Sequence, residues 1–289
     1  MKFKNNLSTT RNLWEIKEKE FLDYLKTFNS SKDQFETILF LPKNVSRKGE
    51  GGLRTKGFYK NKNYKNPLIT IITVVYNNEK HIEETILSVI NQSYDNIEYL
   101  IIDGGSSDKT VEIIKKYNDS IDYWVSETDN GIYDAMNKAC RLATGSGLCF
   151  LNSGDKFVGE VFNDKQKLPF LIPCKIKEKE KIWDKKLSDK KFGMPSSHQA
   201  MVFLNKKILY NLKYKVSSDY DFFIRHGAFS DIFKCSGYVL YDNRGMSKKN
   251  IFLRDFETIS IVFKYYGFVS ALVFFMMQIL KIINKLLKK

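Results

Sequence analysis

LITIITVVYN, residues 68–77, decides how the rest of this 289-residue chain is read. It is a β-branched run that stops at a polar tip, which is the pattern of a strand. Three later runs repeat the form: IEYLIID (97–103), IDYWVSE (121–127) and GLCFLN (147–152). Between them lie three segments with helical apolar spacing, Glu79 to Asn91, Asp108 to Tyr117 and Gly131 to Ala143. Ile82, Ile86, Val89 and Ile90 give the first helix an apolar face. Val111, Ile113, Ile114 and Tyr117 do so for the second, behind a cap at Ser107 or Asp108. Strands alternating with helices predict βαβ units and a mostly parallel α/β sheet flanked by helices.

In such a sheet the loops beyond the carboxyl ends of the strands converge on the ligand. Here those ends read Tyr76-Asn77-Asn78-Glu79, Asp103-Gly104-Gly105-Ser106-Ser107-Asp108, Glu127-Thr128-Asp129-Asn130-Gly131 and Asn152-Ser153-Gly154-Asp155. Together they predict a pocket of acids and amides. No GxGxxG follows the first strand and no GxxxxGK[ST] occurs, which disfavours a Rossmann dinucleotide site and a P-loop. The acids are suited to hydrogen-bonding a base or ribose, or to holding a divalent cation that carries phosphates. Magnesium needs only one or two protein carboxylates when phosphate and water complete its shell.

The chain is strongly basic, with 47 Lys+Arg against 33 Asp+Glu and a formal net charge of +14. That excess favours an anionic partner: nucleic acid, a phosphorylated substrate or an acidic membrane surface. Cys140, Cys149, Cys174 and Cys235 form no CxxC pair, and His81, His198 and His226 are too scattered for a zinc site. The first twenty residues lack the apolar run of a signal peptide, so a reducing, cytoplasmic setting is expected.

Residues 1–66 read as an N-terminal extension. It carries an amphipathic helix from Trp14 to Phe28 and a basic segment, Lys43 to Lys65, that is either a solvated linker or an anion-binding arm over the active site. Lys175 to Lys191, around Trp183, reads as a solvated loop or surface helix. The tail from Phe256 to Lys289 reads as helix: residues 265–280 carry no charge, short of a comfortable bilayer span, and Lys281, Lys285 and Lys288 then recur opposite Leu280, Ile283 and Leu287. Binding in the membrane interface is expected; docking on the protein's own core and a true span are the alternatives.

Residues 67 to about 160 resemble the opening half of family 2 glycosyltransferases throughout, from ITVVYNNEKHIEETILSVINQSYDNIEYLIIDGGSSDKT to SETDNGIYDAMNKACRLATGSGLCFLNSGD. The resemblance returns at SSHQAMVF and SSDYDFFIR. It implies a GT-A-like (Rossmann-like) fold over residues 67–250, with a nucleotide-sugar half at 67–160 and an acceptor half at 161–250; the helical tail, expected from its own pattern to associate with a membrane, is set at 251–289. The resemblance implies transfer of a sugar from a nucleotide diphosphate with inversion, using Mg²⁺ or Mn²⁺. Carried over by position, Tyr76 contacts the donor base, Asp103 hydrogen-bonds it, Asp155 is the metal ligand, and Asp219 is the general base. Asn77, Glu79, Asp129, Asn130, Asn137 and Asn152 complete the donor side. His198 and Gln199 face the acceptor or diphosphate, and Gly245 and Ser247 follow the catalytic region. Asp221 competes with Asp219 for the base role. Where many relatives carry two acids, this chain has Asn152-Ser153-Gly154-Asp155, leaving one firm carboxylate for the metal.

The expected activity is therefore a metal-dependent glycosyltransferase of hexosyl or N-acetylhexosaminyl type, peripheral on the inner face of a bacterial membrane. Its expected donor is a UDP-sugar and its acceptor a lipid-linked saccharide of surface polysaccharide assembly. No nucleic-acid partner is expected. The rival readings are a basic nucleic-acid-binding protein, motivated by the charge, and a catalytically inactive membrane-associated scaffold.

Overall fold

The computed structural model describes residues 7–29, 32–61, 65–177, 179–182, 191, 193–227, 229, 234–242 and 250–287, with 179–182, 281, 282, 285 and 286 described by backbone alone. Gly245, Ser247 and Trp183, and the side chains of Lys281, Lys285 and Lys288, lie outside this description.

The chain begins with β1 (Leu13–Glu15), α1 (Glu18–Lys26), β2 (Gly49–Gly51) and β3 (Phe58–Lys60). The helix expected from Trp14 begins only at Glu18, because Trp14 pairs across β1 with Tyr59 of β3. Phe21 and Leu25 of α1 pack on Leu39 and Tyr59 in a small core of their own.

The predicted alternation follows as β4 (Ile69–Val75), α2 (Ile82–Ile90), β5 (Ile97–Asp103), α3 (Thr110–Lys116), β6 (Tyr123–Ser126), α4 (Ile132–Leu142) and β7 (Gly147–Phe150). These four strands are parallel, in the order β6-β5-β4-β7. Every one of their residues is buried, because helices or loops cover both faces; this is why the runs read as continuously apolar and not alternating. Ile72, Leu100, Val125 and Phe150 face α4, whereas Ile71, Tyr99, Ile101 and Cys149 face α2 and α3.

Beyond β7 come β8 (Lys156–Val158), β9 (Phe170–Leu171), β10 (Cys174–Ile176), β11 (Lys179–Ile182), β12 (Met201–Leu204), α5 (Ser218–His226), β13 (Tyr238–Tyr241) and α6 (Ile251–Leu286). β12 and β9 extend the main sheet antiparallel past β7, and β2 closes its other edge on β6, giving seven strands. A second sheet of order β11-β10-β13-β8 stands beside it.

The basic segment expected as a linker or arm is part of the domain. Besides supplying β2, it buries Arg54 against Glu98 at 2.6 Å. Glu98 also accepts from Thr70 and Thr144, and Arg54 donates to the carbonyls of Leu39 and Leu142. Removing one partner of so buried a pair costs about 3–5 kcal/mol.

The tail divides at Gly267, whose φ of 80° interrupts the helix. Before and after the break α6 docks on the core through Ile261, Val262, Ala271 and Phe274. Its other face leaves Phe252, Phe256, Phe263, Phe268, Val269, Leu272 and Phe275 exposed. By length and composition, Ile251–Leu280 is apolar enough to cross a membrane.

Candidate active site

The carboxyl ends of β4 and β7, the start of α5 and one side of α6 surround a cavity of about 930 Å³. It is large enough for a ligand with several ring systems. Of the residues singled out in the sequence, Tyr76, Asn77, Asn152, Asp155, His198, Gln199 and Asp219 line it.

The turn after β7 places Asp155 on the cavity floor. Asp155 Oδ1 accepts the backbone N–H of Asp242, which follows β13, at 2.7 Å. Its main chain is fixed too: its N–H donates to Asn152 O and its carbonyl accepts from Thr85 Oγ1. Burial, with the Asp242 charge adding to it, pushes the Asp155 carboxyl up to about 8. Beside it, the buried Asn152 Oδ1 has no hydrogen-bond partner among the described residues. No three His, Cys, Asp or Glu side chains converge as a ready-made metal centre among those residues. The donor set nevertheless fits a hard divalent cation: a buried carboxyl held mostly uncharged without one, and an orphaned amide oxygen beside it.

Across the cavity, α5 presents Asp219 from its first turn. Burial raises this carboxyl to about 6, although Tyr220 N donates to Oδ1 at 2.9 Å and Tyr133 Oη lies 3.4 Å away. The loop before it is held by Glu257 of α6, whose carboxylate accepts the N–H groups of Lys215, Val216 and Ser217 at 2.7–2.9 Å. Asp221 does not line the cavity. It is fully buried, paired with Arg225 at 2.7 Å and accepting from Tyr265 Oη at 2.9 Å.

The other singled-out residues are not among those lining the cavity. Asp103 is fully buried, and its carboxylate accepts from Gly105 N, Ser106 N and the hydroxyls of Ser106 and Ser126. It shapes its loop and is not among the residues lining the cavity. Asp129 sits against that loop: a Cβ on Gly104 would lie 2.6 Å from Asp129 Oδ2, and Gly105 stands at φ 85°, so both glycines are required there. Asn130 belongs to the α4 start, its N–H bonded to Asp134. Glu79 accepts the N–H of Lys109 while Asp108 accepts those of Glu79 and Thr110, an exchange that ties the first two loops together. Asn137 exchanges two hydrogen bonds with the backbone of Tyr210, whose hydroxyl meets His198 Nε2 at 2.6 Å. Burial lowers His198 to about 3, so it is neutral. Gln199 accepts from Ser197 Oγ.

Asp242, Lys215, Arg254, Tyr133, Phe274 and Gln278 also line the cavity and escaped the sequence reading. Asp242 ends the apolar run YVLY, the same strand-then-acid signal that marked Asp155; the α6 residues carry no local signal, since they arrive by tertiary docking.

Residues 70–158 match the profile of glycosyl transferase family 2. An uncharacterized glycosyltransferase of Mycobacterium tuberculosis is 40% identical over 94 residues, 32% of this chain and 36% of that protein. A putative teichuronic acid biosynthesis glycosyltransferase of Bacillus subtilis, TuaG, is 38% identical over 94 residues, 32% of this chain and 37% of that protein. The matched segment thus spans little more than a third of these relatives. Among solved structures, S. aureus TarS 1–349 in complex with UDP-GlcNAc superposes with a TM-score of 0.52 at 18% identity, covering 67% of this chain and 64% of that one. A mannosyltransferase of Pyrobaculum calidifontis in complex with GDP-Man and Mn²⁺ gives 0.51 at 16% identity, covering 84% and 70%. The expected GT-A-like α/β fold is the one found, and residues 70–158 form a glycosyl transferase family 2 segment within it.

Proposed function

We propose that the chain is an inverting glycosyltransferase. It moves a hexosyl or N-acetylhexosaminyl group from a nucleotide diphosphate, a UDP-sugar by preference, to a hydroxyl of a lipid-linked saccharide. The setting is bacterial surface polysaccharide synthesis at the inner membrane face. The observation that carries this reading is one cavity with two unlike poles: Asp155 with Asn152 at the end of β7, and Asp219 at the start of α5.

Asp155 and Asn152 Oδ1 would hold Mg²⁺ or Mn²⁺, with Asp242 alongside. Such an ion, when bound, supplies charge that stabilises a leaving diphosphate. Tyr76 is 66% exposed at the rim and offers a ring face to the nucleobase. Asp103, Asp129 and Glu79 hydrogen-bond within the neighbouring loops and set their shape. Asp219, raised to about 6, is a carboxylate at neutral pH yet basic enough to take the proton of the attacking acceptor hydroxyl. Direct attack with one base inverts the anomeric centre. Tyr133 and the Glu257-held loop fix where that carboxylate points.

Phe274 and Gln278 of α6 form part of the cavity wall, while Phe268 and Val269 on the outer side are 67% and 74% exposed. With a lysine-rich end to the chain, this face suits the interface of an anionic bilayer, from which a lipid-linked acceptor would reach Asp219. The similarity to TuaG, a putative teichuronic acid biosynthesis glycosyltransferase, supports the polysaccharide setting.

The test is a donor screen: purified protein with Mg²⁺ or Mn²⁺, individual nucleotide sugars, and lipid extract of bacterial membranes present or absent. Lipid-stimulated nucleotide release, with product of opposite anomeric configuration by NMR, is expected. Absence of turnover with every donor would sink the reading, as would equal turnover by Asp219→Asn.

A further inference from the structure

Ser46, Arg47 and Lys48 lie immediately before β2, outside the segment that matches the family. Each grips a loop at the strand ends. Ser46 Oγ accepts the N–H and hydroxyl of Thr128 at 3.2 and 2.8 Å. Arg47 Nε and Nη2 donate to Glu127 Oε2 at 3.0 and 2.7 Å. Lys48 Nζ donates to the carbonyls of Gly105 and Ser106 at 2.7 and 3.1 Å, and its N–H donates to Ser126 O at 2.8 Å. Three consecutive residues therefore tie the loop after β5 to the loop after β6.

The loop after β5 is clamped from both sides. Asp103 takes the N–H groups of Gly105 and Ser106, while Lys48 takes their carbonyls. The peptide between Gly105 and Ser106 is thus held at both ends, its carbonyl by Lys48 and its N–H by Asp103. The clamped loop then fixes its neighbour: Ser106 Oγ accepts Asn77 N–H, and Asn77 Oδ1 accepts Ser107 N–H, both at 2.8 Å. Asn77 is held at φ 46°, a left-handed conformation that directs the chain beside Tyr76. The linkage runs from the strap through the loop to Tyr76 and Asn77, which line the cavity beyond β4.

We propose that Ser46-Arg47-Lys48 is a positioning strap for the nucleotide moiety of the donor, preorganising the Tyr76-Asn77 rim through the loops it joins. The inference rests on the nucleotide-sugar reading given above. Preorganisation lowers the ordering cost of binding and leaves the chemical step alone. The strap should therefore act on donor affinity and not on turnover.

The experiment compares Lys48→Met, Arg47→Met, Lys48→Arg and Arg47→Lys with the wild type. It measures binding of uridine and guanosine diphosphates with Mn²⁺ by calorimetry, kcat at saturating donor, and Tm. Each Met variant should bind the preferred nucleotide about tenfold more weakly, and kcat should stay within about twofold. The Lys and Arg replacements should recover most of the lost affinity. Wild-type affinity in both Met variants overturns the inference, as does a loss shared equally by affinity, kcat and Tm. Those results leave the nucleotide-sugar reading standing. If the wild type itself binds neither diphosphate, that reading falls and the strap's role falls with it.

Discussion

Asp219 and Asp221 stand two residues apart in the first turn of α5, and the helix turns them to different fates. Asp219 borders the cavity with a raised pKa; Asp221 is spent on Arg225 and Tyr265. The sequence offered both as bases, because an Asp-x-Asp pair does not say which side faces the ligand. Replacing them should separate chemistry from stability. Asp219→Asn should lower kcat by roughly 10²–10⁴. Because Asp219 is held above its ordinary 3.8 in the fold, its ionisation weakens the native state as pH rises from there through about 6. Asp219→Asn should therefore raise Tm near neutral pH and leave it unchanged near pH 4, and the acid limb of the wild-type kcat profile should fall near 6. Asp221→Asn should do the reverse, losing about 1–3 kcal/mol of stability to denaturant with the profile unmoved. Asp103 illustrates what the sequence hides: its place at a strand end was legible, but the four donors that consume its carboxylate come from glycine and serine positions whose directions only the fold sets.

Among elements, the four parallel strands and three helices were legible because their apolar runs are long and their period changes cleanly. β2 was not. Gly49-Glu50-Gly51 has no strand propensity of its own, and it forms because β6 presents an unpaired edge to it. α6 was legible as helix but not as a wall of the site. Glu257 reaches three N–H groups across about forty positions of sequence, a contact no local pattern records. Glu257→Gln should loosen the loop that carries Asp219, lowering kcat by about tenfold with nucleotide affinity intact. A double replacement, Phe268→Glu with Val269→Glu, should reduce sedimentation with anionic vesicles while leaving Tm and lipid-free donor hydrolysis in place. Truncating the helix instead would remove the buried Phe274 and confound the two effects.

At the scale of the molecule, a chain of net charge +14 gathers Asp155, Asp219 and Asp242 around one cavity. A surface suited to anions thus encloses a pocket suited to a cation-bridged diphosphate and a proton acceptor. The proposed division of labour between the poles predicts that donor binding and glycosyl transfer separate when they are measured side by side. The proteins to compare are wild type, Asn152→Ala, Asp155→Ala and Asp219→Asn, each with Mn²⁺ and the preferred nucleotide sugar. Asp219→Asn should bind donor as the wild type does but transfer at least about a hundredfold more slowly. Asp155→Ala should lose donor binding itself, and Asn152→Ala should lose less. Wild-type transfer by Asp219→Asn, or undiminished donor binding by Asp155→Ala, would overturn these roles.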